Sequence, residues 1–431
     1  MKLTGIRKRI LKNREMINAG WIIGGRVLNK ILAFIVGILT VNYLGPSNYG
    51  LISYAASYTT FFASLCSLGI NSVIIKDFVE HPKEQGEAIG TSLLMRAVSS
   101  MLSVIMIAGI VLVADRGERT TLAVVILCSL GLLFQIFDTL NCWFQSRLES
   151  KYPSTVAIFS YALVSAIRII LLIQKRNVYW FAAAASVEYF ITAVFLVGIY
   201  IKKRGPAPAV SFRKGKDLLS RSSSFIIAGL MVSIYASVDK LMLRHMMDDS
   251  AVGNYAIAVS LSTTWAFVLS AIIDSLSPGI MKVHQENREQ YERKNRRLYA
   301  IVFYVSCAVS FVICLFAEPI IHILYRSAYE GAIVSLRIVV WYTAFSYLGV
   351  ARNTWVVCEN KQKYLTGLYA AAALLNVVMN AFLIPVWGGA GAALASLITQ
   401  ISTTMVIPLF IKDLRPNTRM LVDAILLRDV L

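Results

Sequence analysis

Apolar residues in this sequence gather into long runs that are separated by short polar and charged segments. An α-helix needs about 20 mainly apolar residues to cross the hydrocarbon core of a bilayer, and most of these runs reach that length. The pattern therefore predicts an all-α protein with twelve transmembrane helices. Their predicted limits are 17–40, 50–75, 88–113, 120–143, 154–174, 178–201, 222–246, 253–281, 298–317, 333–357, 364–384 and 389–411.

The two longest polar segments are too short to form a folded domain outside the membrane. Residues 202–221 contain the breakers Gly205, Pro206 and Pro208 and lie near the midpoint of the chain. They predict a linker between two six-helix bundles, 1–210 and 211–431. Residues 282–297 are highly charged and predict a helical extension on the cytoplasmic side.

The two predicted bundles share a weak repeat of small residues. These residues, at equal offsets in the two halves, are Gly50, Ala55 and Ser57 in the first and Gly253, Ala258 and Ser260 in the second. Two bundles related by an axis along the membrane normal are a known transporter plan. We therefore expect a polytopic membrane protein made of two pseudo-symmetric bundles.

Composition supports a membrane location and sets the predicted orientation. Of the 431 residues, 57% are hydrophobic and 15% are charged, which is too apolar for a soluble domain. The predicted N-terminal segment, alternate loops and tail hold 29 of the 42 lysines and arginines. Because basic residues concentrate on the cytoplasmic side, both termini are predicted to be cytoplasmic. This bias and the attraction of basic residues to anionic lipid explain the net charge of +18, so we expect no nucleic-acid partner.

Charged residues inside the predicted spans are the candidate chemistry. A cation at the bilayer centre costs about 2.5–3.5 kcal/mol on insertion scales, so it normally faces a partner or a wet cavity. The eight such cations are Arg26, Lys30, Arg96, Arg168, Lys240, Arg244, Arg337 and Arg352. The four acids at similar depth are Asp138, Glu188, Asp239 and Asp274. This excess of cations predicts an electropositive interior that accepts an anionic guest.

Several turn and packing motifs resemble those of one family. They are NYLGPSNYGLISYAAS at 42–57, LGIN at 68–71 with Lys76 and Asp77 after it, YASVDKLML at 235–243 and VGNYAIAVSLS at 252–262. They are similar to bacterial polysaccharide-biosynthesis flippases, the Wzx-type O-antigen transporters of the multidrug/oligosaccharidyl-lipid/polysaccharide exporter superfamily. Gly45, Pro46 and Gly50 are predicted to form a tight extracytoplasmic turn.

The resemblance implies a function and a location. It implies a flippase of the bacterial inner membrane that moves an undecaprenyl-pyrophosphate-linked oligosaccharide across the bilayer by alternating access. Its partners would be this substrate, membrane lipids and other polysaccharide assembly proteins. Relatives that flip the peptidoglycan precursor have two further helices that form a lipid groove, and this chain, with twelve predicted, fits the O-antigen, capsule or exopolysaccharide branch.

Arg26 and Lys30 are the leading candidates for the pyrophosphate. Spacing of four places them on one face of the first helix, with Asn29 beside them as a candidate sugar contact. Arginine grips phosphate oxygens with two hydrogen bonds, and lysine supplies a mobile charge. The resemblance implies that basic residues here line a central cavity. The alternative is structural pairing with Glu188 or Asp274.

Charged residues of the sixth and seventh helices are also candidates. Lys240 and Arg244 are predicted to bind substrate, or else to extend to the outer interface. Asp239 and Glu188 are candidates for coupling to a proton or sodium gradient, because a carboxylate at this depth needs a cation or a proton. Glu188 has the alternative role of a structural partner for Arg168 or Arg26.

The remaining polar residues have a structural alternative. Asn376 and Asn380, together with Gln400, are candidates for sugar contacts or for packing between helices. The four arginines nearest helix ends are expected to extend to the interface or to pair between helices: Arg96, Arg168, Arg337 and Arg352.

Other functional classes fit the sequence less well. A membrane polymerase or glycosyltransferase typically needs a large outer loop with catalytic residues, and the longest predicted here spans about 318–332. No catalytic set, P-loop, metal-ligand spacing or cysteine pair is present, so we expect no enzyme activity and no cofactor. A multidrug and toxin efflux antiporter, the other alternative, would need acids for cationic drugs.

Overall fold

The computed structural model describes residues 2–284 and 286–428, and within them every side chain except those of 2–23, 25–31 and 224. Every regular element in these ranges is a helix, which confirms the predicted all-α class. The α-helices are α1 Lys2–Ser67, α2 Asn71–Glu80, α3 Gln85–Ala114, α4 Arg119–Ser129, α5 Asp138–Ser146, α6 Lys151–Ile173, α7 Val178–Lys202, α8 Phe212–Met246, α9 Asp249–Thr264, α10 Phe267–Val283, α11 Arg288–Leu315, α12 Ala317–Tyr325, α13 Ala332–Val339, α14 Tyr342–Cys358, α15 Lys363–Ile401 and α16 Arg415–Ile425.

Ten helical segments of the described chain are long and apolar enough to cross a membrane. The two longest, Leu32–Glu80 and Lys363–Phe410, contain 49 and 48 residues. At 1.5 Å per residue each would extend roughly 70 Å as one straight helix, which is more than twice the thickness of a bilayer core. Each contains a glycine break, at Gly45 and at Gly388. The protein is therefore a multi-pass membrane protein, and the count of twelve spans stays a prediction.

Two glycines of the predicted turn have different roles. Gly45 has φ 71°, a left-handed conformation that glycine adopts without strain, and Pro46 follows it, so the predicted break is confirmed. Gly50 is helical instead. A Cβ atom on Gly50 would lie 1.7 Å from the backbone oxygen of Asp249, and one on Gly253 would lie 2.1 Å from that of Pro46. The predicted turn role of Gly50 is therefore wrong, because close helix packing is what requires glycine there.

The chain divides into two compact units. The first contains Met1–Leu44 and Ala55–Leu230, and the second contains Gly45–Tyr54 and Met231–Leu431. The segment that follows the Gly45 break thus packs within the second unit. The predicted organisation into six-helix bundles, 1–210 and 211–431, stays a prediction.

In the first unit, the predicted linker is held against α3. The backbone N–H of Ala209 donates to the carbonyl of Gly86 at 2.9 Å. A Cβ atom on Gly90 would lie 2.3 Å from the Ala209 oxygen, so only glycine permits this approach. Helix α8 begins at Phe212. The irregular part of the linker is therefore shorter than the predicted 202–221.

In the second unit, α10, α11, α14 and α16 surround an aromatic and aliphatic core. Tyr299, Leu348, Trp355 and Leu421 are all nearly or completely buried there. Helix α11 is continuous and starts at Arg288. The predicted helical extension is therefore confirmed from Arg288 onward, and its cytoplasmic side stays a prediction.

Candidate functional site

Asp239 of α8 lies in a buried network of neutral hydrogen-bond donors. Its side chain is 6% exposed. One carboxylate oxygen accepts from the Tyr255 hydroxyl at 2.5 Å and from the Ser396 hydroxyl at 2.6 Å, and the other accepts from the Asn380 amide at 2.7 Å. No lysine or arginine among the described side chains forms an ion pair with it. Hydrogen bonds from α9 and α15 therefore hold this carboxylate without neutralising its charge.

Two asparagines of α15 extend this network. Spacing of four puts Asn376 and Asn380 on one face of α15, and the Asn380 amide donates to the Asn376 side-chain oxygen at 3.1 Å. Both residues are fully buried. The Asn380 side-chain oxygen and the Thr399 hydroxyl have no hydrogen-bond partner. The cluster of Asp239, Asn376, Asn380 and Ser396 thus combines one negative charge with a spare amide oxygen on Asn380 and a spare amide nitrogen on Asn376.

A cavity of about 150 Å³ adjoins this network, and we call it the Asp239 cavity. Asp239, Lys240 and Tyr255 line it, together with the rings of Tyr235 and Tyr342. Lys240 is partly buried and forms no ion pair with a described acidic side chain. The cavity therefore brings a carboxylate and an ammonium group to one small polar space.

A second cavity, of about 250 Å³, lies in the same unit and is lined by Arg352, so we call it the Arg352 cavity. It shares Tyr235, Ala236 and Tyr342 with the Asp239 cavity. Arg352 is 5% exposed, so it does not extend to an interface. Its Nη1 donates to the backbone oxygen of Thr403 at 3.3 Å.

The first unit pairs its described deep cations with acids. Arg96 of α3 is 2% exposed; its Nη1 lies 3.8 Å from Asp138 Oδ2, and its Nη2 donates to the Asn71 side chain. Arg168 of α6 lies 3.8 Å from Glu188 of α7, measured between Nη2 and Oε2. Both arginines therefore pair between helices, one of the two predicted alternatives.

The other predicted site residues are dispersed. Arg244 forms an ion pair with Asp249 and lies over the Tyr54 ring, with 5.9 Å between Cζ and the ring centroid. The guanidinium of Arg337 lies 3.6 Å from Glu318. The side chains of Arg26, Asn29 and Lys30 lie outside those that the structure describes, so their predicted roles stay predictions.

Sequence reasoning missed Tyr255, Ser396 and Arg352 as members of these sites. Tyrosine and serine are common in membrane helices and carry no signal by themselves. Asp239 and Asn380 are separated by 141 positions, and only the fold brings them together. The i,i+4 spacing of Asn376 and Asn380 was the available signal that α15 presents a polar face.

Two family models match the chain. The model described as polysaccharide biosynthesis protein covers residues 16–284, and the model described as MatE covers 225–382.

Curated relatives are distant but match over most of their length. One is a putative O-antigen transporter of Escherichia coli K12, 19% identical over 393 residues, which cover 89% of this chain and 94% of the relative. Another is an uncharacterized membrane protein of Methanocaldococcus jannaschii, 20% identical over 423 residues, covering 89% of this chain and 81% of the relative.

Solved structures establish the fold. An inward-facing multidrug resistance MATE family transporter of the MOP superfamily has a TM-score of 0.66 at 15% identity, covering 91% of this chain and 96% of that one. The lipid II flippase MurJ, in an inward closed conformation, has a TM-score of 0.69 at 11% identity, covering 95% of this chain and 92% of that one. The chain therefore has the fold of MOP-superfamily transporters.

Proposed function

This chain belongs to the polysaccharide biosynthesis protein family, and we propose that it is a flippase for undecaprenyl-pyrophosphate-linked oligosaccharide repeat units. It moves them from the cytoplasmic to the periplasmic leaflet of the bacterial inner membrane by alternating access. Its product supplies O-antigen, capsule or exopolysaccharide synthesis. Both of its termini are cytoplasmic.

One observation favours this function over export of cationic drugs. In the second unit, Arg352 lines a cavity that has no acidic side chain among its described lining residues, and it forms no ion pair with a described acid. A carrier of cations would gain nothing from basic cavity walls, because like charges repel at low dielectric. A pyrophosphate carries negative charge and is attracted to them.

The substrate's pyrophosphate is proposed to bind Arg26 and Lys30 on the first helix, with Asn29 contacting the sugar. Lys240 is a further proposed contact for the pyrophosphate. Arg244, which pairs with Asp249, contributes when that ion pair opens. Each role follows from charge and from the two-pronged geometry of arginine with phosphate oxygens.

Transport is proposed to be driven by an ion gradient, with the coupling ion bound at Asp239. A sodium ion prefers oxygen ligands, as hard cations do. The side chains of Asp239, Asn376, Asn380 and Ser396 offer carboxylate, amide and hydroxyl oxygens in one buried cluster. A proton on the carboxylate is the alternative cargo. In this proposal the asparagines serve the coupling ion rather than the sugar.

The experiment uses a strain whose own flippase gene is deleted and whose surface polysaccharide is restored by this chain. Arg26→Ala and Lys30→Ala are expected to lower surface polysaccharide severely, because a lost charge contact costs about 2–5 kcal/mol of binding. The amount of protein in the membrane is measured in parallel. Asn13→Ala, on the same helix outside the predicted span, is the matched control.

The outcomes separate the two functions. Wild-type polysaccharide from both variants at low expression would refute the phosphate role, and loss of the protein itself would make the two residues structural. A chain that restores no polysaccharide but lowers accumulation of a cationic dye would be a multidrug exporter, as the MatE match to residues 225–382 allows.

A further inference from the structure

Arg352 differs from the other deep arginines whose side chains are described. Arg96, Arg168, Arg244 and Arg337 each lie within 4 Å of an acidic side chain. Arg352 is 5% exposed and forms no such pair with any described acid. A buried guanidinium without a counter-charge is costly. The charge of this guanidinium is therefore available to interact with a bound ligand.

The hydrogen bonds of Arg352 are also incomplete. Arginine has five N–H donors, and the structure gives this one a single bond, to the Thr403 carbonyl at 3.3 Å. Its Nε is buried and has no partner, and neither has the neighbouring Asn353 side-chain oxygen. Unpartnered buried polar atoms of this kind mark a place where a ligand or water completes the bonding.

The backbone that receives Arg352 is itself unusual. Thr403 lies in a five-residue π-helical turn, Ser402–Val406, directly after α15. Such turns are rare and occur frequently at functional sites. Here the turn aims a carbonyl at α14 and so fixes the guanidinium beside the cavity.

The Arg352 cavity has the size and lining of an anion site. Its volume is about 250 Å³, whereas a water molecule occupies roughly 30 Å³ in the liquid, so a phosphate-sized group fits. No acidic side chain is among its described lining residues. Tyr235, Tyr369 and Gln400 also line it. The Tyr235 hydroxyl donates to Gln400 Oε1 at 2.6 Å and the Gln400 amide donates to Thr404 at 3.2 Å, so the donors left for an anion are the Tyr369 hydroxyl and the second amide hydrogen of Gln400.

We propose that the Arg352 cavity is a binding site for a phosphate-type anion, and that the pyrophosphate of the transported lipid occupies it during the cycle. The assignment of this site to the transported lipid rests on the proposed function. Arg352 lies six residues before the end of α14 at Cys358, roughly 9 Å along the axis, on the predicted cytoplasmic side from which the substrate enters. The residues of this phosphate-binding site differ from Arg26 and Lys30, which are proposed above to bind the same group.

The test uses the purified full-length chain in lipid nanodiscs. Binding is measured by titration and by the shift in thermal midpoint with three probes: inorganic pyrophosphate, geranyl pyrophosphate and phosphatidylglycerol. Two variants are compared with wild type. Arg352→Met removes the charge and keeps a side chain of similar length, and Arg352→Lys keeps the charge but lacks the guanidinium group that can form two parallel hydrogen bonds. Arg337→Met, a half-exposed arginine of the neighbouring α13, is the matched control.

Wild type and Arg337→Met are expected to bind both pyrophosphates. Arg352→Met is expected to bind them about tenfold more weakly or worse, and Arg352→Lys to fall in between. Equal affinity in wild type and Arg352→Met overturns the site. If Arg352→Met does not fold, the comparison is made between wild type and Arg352→Lys. Equal affinity of these two proteins for pyrophosphate then also refutes the proposed site.

The remaining outcomes identify the source of the anion. Binding of inorganic and geranyl pyrophosphate, with phosphatidylglycerol much weaker, supports the transported lipid. Stabilisation by phosphatidylglycerol alone would make this a site for bilayer lipid. It would refute the proposal that the pyrophosphate of the transported lipid binds there. Pyrophosphate binding that depends on Arg352 in a chain that restores no surface polysaccharide would refute the proposed function and leave the site standing.

Discussion

In the part of the chain that the structure describes, some buried charges of the second unit lack the ion-pair partners that those of the first unit have. In the first unit, Arg96 and Arg168 each have an acid within 4 Å, and the charges cancel in pairs. In the second unit, Asp239 is held by neutral donors, and Arg352 donates to a backbone carbonyl. These two second-unit charges line the cavities described above, and the paired Arg96 and Asp138 of the first unit also line one, of about 220 Å³. The contrast is one of pairing. Among the described residues, Arg96 and Arg168 have acidic partners, whereas Asp239 and Arg352 have no ion-pair partner, although Arg244 and Arg337 of the second unit do.

This difference gives a criterion for distinguishing structural from functional charge in a membrane interior. A paired charge is expected to affect stability when it is broken, since the remaining partner is buried alone. An unpaired charge beside a cavity is expected to contribute to ligand binding. Its removal is expected to weaken binding with little loss of stability. Four predictions follow this criterion, beginning with the largest effect.

Asp239→Asn is expected to abolish the dependence of transport on an ion gradient. Replacing the carboxylate removes the charge that a proton or sodium ion would neutralise, and coupling between ligands is typically worth 5- to 150-fold. Transport of lipid-linked oligosaccharide into vesicles with and without the gradient measures it. Asp274→Asn, an exposed acid of α10 in the same unit, is the control. Full gradient dependence in Asp239→Asn would place coupling elsewhere.

Asp138→Leu is expected to destabilise the first unit by about 1–3 kcal/mol, because it leaves the buried Arg96 short of a counter-charge. The figure lies below that for a fully buried pair because Asp138 is 41% exposed. Thermal unfolding in detergent measures the change. Arg352→Met in the second unit should show no comparable loss. Similar losses in the two variants would break the comparison.

Arg168 and Glu188 are expected to show a coupling energy of about 0.5–1 kcal/mol in a double-mutant cycle, since both are partly exposed. Arg168→Met, Glu188→Gln and the double variant are compared by thermal unfolding. Glu188→Gln should retain gradient-dependent transport if the residue is a structural partner. Loss of that dependence would instead support the coupling role predicted for Glu188.

The smallest effect concerns the surface of the first unit, where Lys214 lies 2.9 Å from both Asp77 and Glu84. The hydrogen bond from Lys214, and then its charge, lower the pKa of Glu84 below the ordinary 4.5. A lowered carboxyl pKa stabilises the fold above pH 4.5, and this stabilisation is lost as the pH falls through the lowered value. The difference in thermal midpoint between wild type and Glu84→Gln should therefore shrink below pH 4.5. A difference that is constant from pH 6 to pH 3.5 would contradict this.

Local features of the fold were predictable because they depend on local physics. Apolar run length predicted the helices, and Gly45 with Pro46 predicted the break in α1. The charged stretch before the ninth span predicted the extension that α11 shows from Arg288. Gly50 was misinterpreted because its close partner, the Asp249 backbone, is remote in sequence.

The candidate site was only partly predictable. Residue type and depth identified Asp239, Asn376 and Asn380 one by one, but their grouping depends on how α8 and α15 pack. Arg352 lies near the end of its helix, and position alone could not separate an arginine that reaches the interface from one that is 5% exposed. The π-helical turn whose carbonyl accepts from Arg352 is not marked by any residue type or spacing in the sequence.

The packing of Gly45–Tyr54 in the second unit constrains how the protein is synthesised. Gly50 leaves the ribosome about 200 residues before Gly253, against which it packs, and at roughly 5–20 residues per second this interval lasts about 10–40 s. The early segment waits in the membrane without its partner for that time. A nascent chain stalled before residue 249 would leave Gly45–Tyr54 without the helix against which it packs. The packing of this early segment therefore depends on translation of the C-terminal half.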